Sequence, residues 1–300
     1  MGQIPLVSVI VPTYHREEPL YRALESIAKQ TYRNCEAVVI DDNADINWNL
    51  KVTNVVAAIK NQYPDFQIVF IQNAENKGSA ETRNIGIQAA NGEYVTFLDD
   101  DDIYLPKKIE RQFEDMRVAD ADYGITDLEL YRTDEKLIQT VRRSYIKAID
   151  QDSLLRDHLK YHLTGTDTLM FRKKYLIQIG MFPPINVGDE FYLMERAIMG
   201  GGKICYSPHC YIKAYVHKGA EEGLSSGEGK IKGENALYEM KKSYFFKLPA
   251  KDVRYIKVRH HMVIAFAEYR RKHWLSFIKH AMSSLFISPV YVFRIIKERL

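Results

Sequence analysis

The first half of the chain alternates between short apolar runs of strand-like composition and longer stretches with helical spacing. The apolar runs cover residues 7–11, 35–40, 67–71 and 93–98, and a further strand candidate covers residues 122–131. Helical spacing begins at Pro19 and again at Pro106, and between these positions it covers residues 50–62 and 79–90. This alternation predicts an α/β fold, with a doubly wound, mostly parallel sheet covered by helices on both faces.

The second half of the chain is less regular. Residues 175–200 look helical at both ends, and from residue 234 onward the spacing is helical, interrupted at Pro249 and at Ser288-Pro289. Residues 219–233 contain five glycines, which predicts a mobile loop. The pattern therefore predicts a helical extension after the α/β part.

Charge is distributed unevenly along the chain. Residues 251–300 carry 11 Lys or Arg and 3 Asp or Glu, a net charge of +8. Residues 1–250 carry 31 Lys or Arg and 36 Asp or Glu, a net charge of −5. A mildly acidic body with a basic end predicts an anionic surface as the partner of that end. No nucleic-acid recognition motif accompanies the basic residues, so we do not expect a nucleic-acid partner.

Cysteine usage and hydropathy indicate the compartment. The chain has three cysteines, Cys35, Cys205 and Cys210, and this small, odd number argues against a disulfide framework. They are predicted to be small core residues. The sequence shows neither a signal-peptide pattern nor the ~18 consecutive apolar residues of a membrane span. We expect a protein of the cytoplasm, either free or bound peripherally to the inner face of the cell membrane.

Polar side chains follow the first, second and fourth predicted strands. They are Thr13 and Tyr14, then Asp41 and Asp42, then the run from Asp99 to Asp102. Ligands of open α/β sheets bind beyond the carboxyl ends of the strands, so these positions predict one binding crevice.

Each of these motifs allows two interpretations. The run Asp99–Asp102 suits Mg²⁺ or Mn²⁺, or forms a solvated acidic turn that caps the helix after Pro106. Asp41 and Asp42 can accept from a base imide or ribose hydroxyls, or simply form a turn. Arg83 is predicted to bind phosphate near the start of a helix, or to be a surface cation.

Taken in order, these segments resemble family 2 glycosyltransferases over about residues 5–135. The resemblance rests on four segments, Val7–Tyr14, Val39–Asn43, Asn76–Gly86 and Gly92–Asp102. It implies a GT-A fold and an inverting transfer of a hexosyl group from a nucleotide-diphosphate donor of the UDP-hexose kind, with Mn²⁺ or Mg²⁺ as cofactor.

The resemblance also assigns roles to residues of the first half. Pro12, Thr13 and Tyr14 would border the base, which Asp42, or its neighbour Asp41, would contact. Arg83 would lie near the base and diphosphate. Asp99 or Asp100 would face the ribose, Asp101 would hold the metal, and Asp102 would cap a helix or support the ligands from behind.

The second half matches the family at fewer positions. The segment from Gly188 to Arg196 resembles the family's acidic pair followed by Leu and Arg, which makes Glu190 the implied catalytic base, with Asp189 as the alternative. The segment Tyr215-Val-His217 implies that His217 lies close to the diphosphate or metal. Asp167 is expected near the acceptor or the donor sugar.

The predicted division follows from the resemblance. A GT-A catalytic domain covers residues 1–232, with a nucleotide-binding half at about 1–130 and an acceptor half at about 131–232, and a basic helical region covers 233–300. The acceptor implied is a glycan or a lipid-linked sugar of bacterial surface-polysaccharide synthesis. Residues 270–300 combine basic and aromatic side chains, which predicts either peripheral membrane contact or packing on the catalytic domain.

Two rival functions stay open. A nucleotidyltransferase would carry a Gly-rich phosphate loop after the first strand, where this chain has Pro-Thr-Tyr-His-Arg-Glu-Glu. A non-catalytic nucleotide-sugar-binding protein would lack the aspartate run or the later acidic pair, and the sequence has both.

Overall fold

The computed structural model describes residues 4–185, 187–216 and 227–299, which fall into two compact units. Within the described residues, the first unit takes its members from 1–151, 163–184 and 189–217, and the second from 152–162, 185–188 and 218–300. Besides the basic C-terminal region, the second unit therefore includes a helix from the middle of the chain. His217 and residues 219–226 lie outside the described residues.

The first unit contains all nine described strands, joined in one sheet. The strands are β1 (Val7–Thr13), β2 (Cys35–Asp41), β3 (Gln67–Gln72), β4 (Tyr94–Phe97), β5 (Ile103–Tyr104), β6 (Tyr123–Arg132), β7 (Leu137–Val141), β8 (Leu169–Arg172) and β9 (Ile204–Val216). Their order is β3-β2-β1-β4-β8-β6-β9-β5, with β7 paired to the outer part of β6.

The helices of the first unit connect these strands. They are α1 (Glu18–Ala28), α2 (Ile46–Gln62), α3 (Ser79–Ala89), α4 (Lys108–Ala119), α6 (Lys173–Gln178) and α7 (Asp189–Met199), together with a 3₁₀ turn at Thr166–Thr168. Helix α2 begins four residues earlier than the apolar spacing predicted, because Asp45 caps it by accepting from the backbone N–H groups of Asn47 and Trp48.

The sheet is mixed. Strands β1 to β4 pair in parallel, as the alternation predicted, so their carboxyl ends meet at one edge. Strand β8 runs antiparallel between β4 and β6, which brings the residues just before β8 to that same edge. Strands β1 and β2 are buried along nearly their whole length. The α/β fold with helices around one sheet is confirmed, and its second half combines antiparallel pairs with the parallel pair of β6 and β9.

A buried polar contact fixes the start of the sheet. The carboxylate of Glu36 is only 1% exposed and accepts from the Ser8 hydroxyl at 2.6 Å and from the Asn91 backbone N–H at 2.7 Å. Gly92 donates its own N–H to the Ser8 hydroxyl at 2.8 Å. These bonds tie β1, β2 and the turn before β4 together, because a buried carboxylate needs several donors.

The cysteine prediction is partly correct. The three cysteines are free thiols, and Cys35 is buried in the core. Cys205 and Cys210 lie on β9 and are only partly buried, because that strand lies next to the two-residue strand β5 near one end of the sheet.

The second unit is helical. Its helices are α5 (Gln151–Tyr161, of which residues 152–161 belong to this unit), α8 (Gly227–Lys242), α9 (Ala250–Arg270), α10 (Trp274–Ile287) and α11 (Pro289–Arg299). A small core contains Tyr255, Val258 and Met262 of α9 with Val292 and Ile295 of α11. None of the described helices combines the length and the apolar character needed to cross a membrane.

The predicted mobile loop at 219–233 is wrong for its described part. Residues 227–233 form the first turns of α8. The glycine at position 233 serves close packing instead of flexibility, since a Cβ there would lie 2.4 Å from Cγ1 of Val187. The breaks predicted at Pro249 and Ser288-Pro289 are correct, because α9 begins at Ala250 and α11 at Pro289.

Candidate functional site

The end of β1 contacts the aspartate run. The Thr13 hydroxyl donates to Oδ2 of Asp100 at 2.7 Å, and the backbone N–H of Tyr14 lies 3.2 Å from the same oxygen. Burial raises the pKa of Asp100 to about 7, although the Thr13 hydrogen bond opposes the shift. The ends of the first and fourth strands therefore meet, as the sequence predicted.

An exposed aromatic column begins at Tyr14. The ring of Tyr14 stacks on His15 at a centroid distance of 3.9 Å, and His15 stacks on Trp48 at 4.9 Å. Tyr14 is half exposed. No sequence pattern marks the pairing of His15 with Trp48, because their contact depends on the positive φ of His15 and on the early start of α2.

Asp41 and Asp42 are buried and hold the backbone at the end of β2. The two oxygens of Asp42 accept the N–H groups of Lys77 at 2.8 Å and Gly78 at 2.9 Å, and Asn73 donates to Asp42 as well. Asp41 accepts both the backbone and side-chain N–H of Asn43. Asp42 thus fixes the loop that leads into α3, Asp41 fixes the turn that follows β2, and their contact with a base stays a prediction.

Arg83 is buried between two carboxylates. Its guanidinium donates to Asp99 at 2.7 Å and to Asp189 at 3.1 Å, and only 7% of the side chain is exposed. Burial disfavours the charge, but the two carboxylates outweigh this effect and raise the pKa of Arg83. The surface-cation interpretation is therefore wrong. Its buried Nε has no hydrogen-bond partner among the described residues.

Asp99, Asp102 and Asp167 form a carboxylate cluster. One oxygen from each lies within 4.8 Å of the others. Burial, with the charge of Asp99, raises the pKa of Asp167 to about 7, and burial beside Asp167 raises the pKa of Asp102. Three such oxygens suit a hard divalent cation, because the cation would offset the repulsion that the buried carboxylates otherwise relieve by protonation.

The contacts of Asp102 and Asp101 bear on the roles expected within the aspartate run, and the metal role of Asp101 stays a prediction. Asp102 does not cap a helix: it is 7% exposed and accepts the backbone N–H of Tyr215 at 2.8 Å, while α4 starts after Lys107. Asp101, the predicted metal ligand, lies outside the cluster of three and pairs with Arg16 at 3.2 Å. The sequence alone gave no means of pairing Asp102 with Asp167, which lies 65 positions later.

Glu190 lies at the start of α7 and is partly exposed. Its carboxylate accepts the Thr166 hydroxyl at 2.5 Å and the Gly165 backbone N–H at 2.7 Å. Burial and the neighbouring charge of Asp189 raise the pKa of Glu190, while the Thr166 hydrogen bond lowers it. Asp189, in contrast, is 7% exposed and is paired with Arg83. A positioned carboxylate with a raised pKa and an accessible side is suited to accept a proton.

The loop that holds Glu190 depends on Arg143, which the sequence analysis did not identify. This arginine is 2% exposed and donates to the carbonyl oxygens of Thr126 and Thr164. Gly165 has a φ of +108°, and a Cβ there would lie 3.2 Å from the Arg143 guanidinium. Arg143 and Gly165 together thus orient the N–H group that binds Glu190.

A family model confirms what these segments resemble. The model described as glycosyl transferase family 2 matches residues 8–180, more than half of the chain. The chain belongs to glycosyl transferase family 2. The match covers the strand ends, Arg83 and the aspartate run, whereas Glu190 lies beyond it.

Curated relatives include bacterial proteins of glycosyl transfer and polysaccharide synthesis. The chain is 36% identical over 111 residues to the Escherichia coli UDP-Glc:alpha-D-GlcNAc-diphosphoundecaprenol beta-1,3-glucosyltransferase WfgD, covering 37% of this chain and 41% of that protein. It is 26% identical over 229 residues to the succinoglycan biosynthesis protein ExoO of Rhizobium meliloti, covering 73% and 63%. The chain therefore spans less than two thirds of the length of these relatives.

Solved structures share the fold over almost the whole chain. TarS 1–349 of S. aureus, in complex with UDP-GlcNAc, aligns with a TM-score of 0.62 at 17% identity, covering 92% of this chain and 90% of TarS 1–349. A Pyrobaculum calidifontis mannosyltransferase, in complex with GDP-Man and Mn²⁺, aligns with a TM-score of 0.61 at 14% identity, covering 94% and 86%. These matches confirm the GT-A fold.

Proposed function

We propose that this chain is an inverting glycosyltransferase that moves a hexose from a nucleotide diphosphate, of the UDP kind, to a hydroxyl group of a glycan or lipid-linked acceptor. The observation that carries the proposal is the bridge made by Arg83, which joins Asp99 of the aspartate run to Asp189 at the start of α7. The bridge supports the proposal because it joins the aspartate run to the start of α7, where Glu190 follows Asp189.

The donor site combines a stacking surface with polar strand ends. The half-exposed ring of Tyr14 offers a face for the base, with Pro12 and Thr13 beside it. The carboxylate of Asp42 accepts three N–H groups of the protein and can accept one more hydrogen bond, from the base. Asp99 and Asp100 face the ribose in this arrangement. Arg83 faces the diphosphate, and its orphaned buried Nε is consistent with a ligand there.

A divalent cation, Mn²⁺ or Mg²⁺, fits the aspartates. Asp99, Asp102 and Asp167 provide the clustered oxygens, and Asp101 is the ligand implied by the family resemblance. When bound, the cation would offset the charge of the diphosphate leaving group. Electron paramagnetic resonance of bound Mn²⁺ in Asp101→Asn and Asp102→Asn tests the ligand set. If only Asp101→Asn loses the signal of bound Mn²⁺, the cluster of Asp99, Asp102 and Asp167 is not the metal site. If only Asp102→Asn loses it, Asp101 is not a ligand.

Glu190 is the proposed base. Thr166 and Gly165 orient its carboxylate, and its raised pKa keeps it basic enough to take the proton of an acceptor hydroxyl. The hydroxyl oxygen then bonds to the anomeric carbon as the bond to the diphosphate breaks on the opposite face. Asp189 holds Arg83 in place and is the alternative base.

The acceptor is proposed from the names of the relatives. The Escherichia coli relative's name specifies a diphosphoundecaprenol-linked sugar, and the Rhizobium meliloti relative's name specifies succinoglycan biosynthesis. We extend this chemistry to the chain as a lipid-linked or glycan acceptor used at the inner face of the cell membrane. Neither a nucleotidyltransferase nor a non-catalytic binding protein is favoured by any observation at the site.

Transfer itself tests the proposal. The chain is screened for thermal stabilisation by UDP- and GDP-sugars with Mn²⁺, because a ligand that binds the folded state raises its stability. The donors that bind are then incubated with polyprenyl-diphosphate sugars, and proton NMR of the product reports its anomeric configuration. A product with inverted configuration supports the proposal. Donor binding with neither transfer nor hydrolysis would favour the non-catalytic alternative, and a retained configuration would refute the inverting mechanism.

A further inference from the structure

Helix α10 has its polar and apolar sides reversed. A helix on the surface of a globular protein normally packs its apolar side inward. In α10, six apolar side chains between 37% and 87% exposed share the outward side: Trp274, Leu275, Ile278, Met282, Leu285 and Phe286. Leu275 and Phe286 are the most exposed of them, at 87% and 83%.

The inward side of α10 is held by polar contacts to α9. The Ser276 hydroxyl lies 3.2 Å from the carboxylate of Glu268, and Nδ1 of His280 lies 3.0 Å from Nδ1 of His261. Ser284, also on this side, is 2% exposed. These contacts fix the rotation of α10 about its axis, so the apolar side cannot turn inward without breaking them.

Helix α11, which follows α10 directly in the chain, exposes apolar side chains as well. Val290 is 74% exposed and Phe293 is 69% exposed. We name the outward side chains of α10 together with Val290 and Phe293 the α10–α11 face. So many exposed apolar side chains on two successive helices mark an interaction site in a folded protein.

Charge identifies the partner. Between residues 269 and 297 the sequence contains six Lys or Arg and no Asp or Glu. Lys272 and Lys279 are exposed beside the apolar side chains, and Tyr269 and Trp274 lie at the start of the face, both about half exposed. Apolar side chains surrounded by cations, with Tyr and Trp at the edge, match an anionic lipid surface. Pairing of two copies through this face would instead bring like charges together.

We infer that the α10–α11 face binds the surface of an anionic lipid bilayer, with its apolar side chains inserted between the head groups. The inference deepens the proposed function, on which it rests for the use of a lipid-linked acceptor. It assigns membrane contact to particular side chains of the second unit.

The test uses the full chain and two kinds of vesicle. Flotation is measured with phosphatidylcholine alone and with phosphatidylcholine mixed with phosphatidylglycerol. We expect binding to the mixed vesicles that weakens with salt, because exposed charges are screened. Lys272→Gln and Lys279→Gln should each weaken binding to the mixed vesicles about fivefold, since a cation near such a surface contributes ~1 kcal/mol.

A matched pair of phenylalanines isolates the face. Phe286 is 83% exposed and Phe246, elsewhere in the second unit, is 82% exposed. Phe286→Ser should weaken binding at least about tenfold, the value of one inserted apolar side chain, and Phe246→Ser should bind as the parent does. Exposed substitutions change stability little, and equal thermal midpoints of the two variants verify that both fold.

Three results would overturn the inference. The first is that the parent chain does not float, and the second is that Phe286→Ser floats as well as the parent. The third is that the parent binds no lipid but forms a dimer in sedimentation equilibrium, and that Phe286→Ser is a monomer. The failure of the proposed function is distinguishable, because flotation needs neither donor nor acceptor. A chain that floats but transfers no sugar would refute the catalytic proposal alone.

Discussion

Because Thr166 donates a hydrogen bond to Glu190, the pH dependence of kcat can test whether Glu190 is the base. The Thr166 hydroxyl donates to Oε1 of Glu190 at 2.5 Å, and the Gly165 N–H binds the other oxygen. Burial raises the pKa of Glu190, and this hydroxyl partly opposes that shift. Thr166→Val keeps the shape of the side chain and removes the donor, so we expect the pKa of Glu190 to rise further.

The size of the effect follows from the bond that is lost. A hydrogen bond to a charged group contributes ~1.5–3 kcal/mol. One pKa unit corresponds to about 1.4 kcal/mol, so the upward shift should be about 1 to 2 units. A base acts in its deprotonated form, and activity therefore falls as the pH drops through its pKa. The acidic limb of the kcat profile should move to higher pH by about one unit or more, with a similar plateau.

The control is a second buried threonine. Thr126 is 4% exposed, and its hydroxyl has no hydrogen-bond partner among the described residues, so Thr126→Val removes a hydroxyl without touching Glu190. Its pH profile should coincide with that of the parent. An unmoved limb in Thr166→Val, or a limb moved to lower pH, would refute the assignment of Glu190 as the base tuned by Thr166.

Three further substitutions test the framework around the site. Gly92→Ala places a Cβ 2.6 Å from the Ser8 hydroxyl and 2.8 Å from a backbone oxygen, so urea unfolding should show a loss of ~1–3 kcal/mol, and an unchanged free energy of unfolding would contradict the packing argument. Arg83→Met leaves two carboxylates without their shared cation, and we expect a loss of ~3–5 kcal/mol by the same measurement, whereas a loss below ~1 kcal/mol would show that the bridge is weak. Arg143→Met should lower kcat because the loop that holds Glu190 loses its anchor, while the donor should still raise the thermal midpoint by about the same amount. An unchanged kcat would show that the loop keeps its conformation without Arg143.

The periodic pattern predicted the parallel half of the fold well. Strands β1, β2 and β4 are buried apolar runs with polar side chains at or just after their ends, so the meeting of Thr13 and Asp100 followed from the rule that parallel strands share one edge. The ordered motifs then predicted the family. Both results depend on residues that are near one another in sequence or lie at equivalent strand ends.

The contacts that could not be predicted join distant segments. The antiparallel strand β8 brings Asp167 to Asp99 and Asp102, and no local pattern marks its direction. Arg83 resembled a surface cation because its two carboxylate partners come from distant segments, one just after β4 and the other at the start of α7. Arg143 has no motif, since it recognises backbone oxygens. At residues 227–233, glycines indicated a loop, but tertiary packing favoured a helix.

The most direct test of the central claim is sugar transfer by Glu190→Gln, compared with Asp189→Asn and the parent chain. The account expects Glu190→Gln to transfer ~10²–10⁴-fold more slowly, the usual contribution of a positioned base, while the donor still raises its thermal midpoint. Asp189→Asn should retain more activity, because Asp189 acts through Arg83. Activity of Glu190→Gln within a few-fold of the parent, or a larger loss in Asp189→Asn, would contradict the assignment of Glu190 as the base.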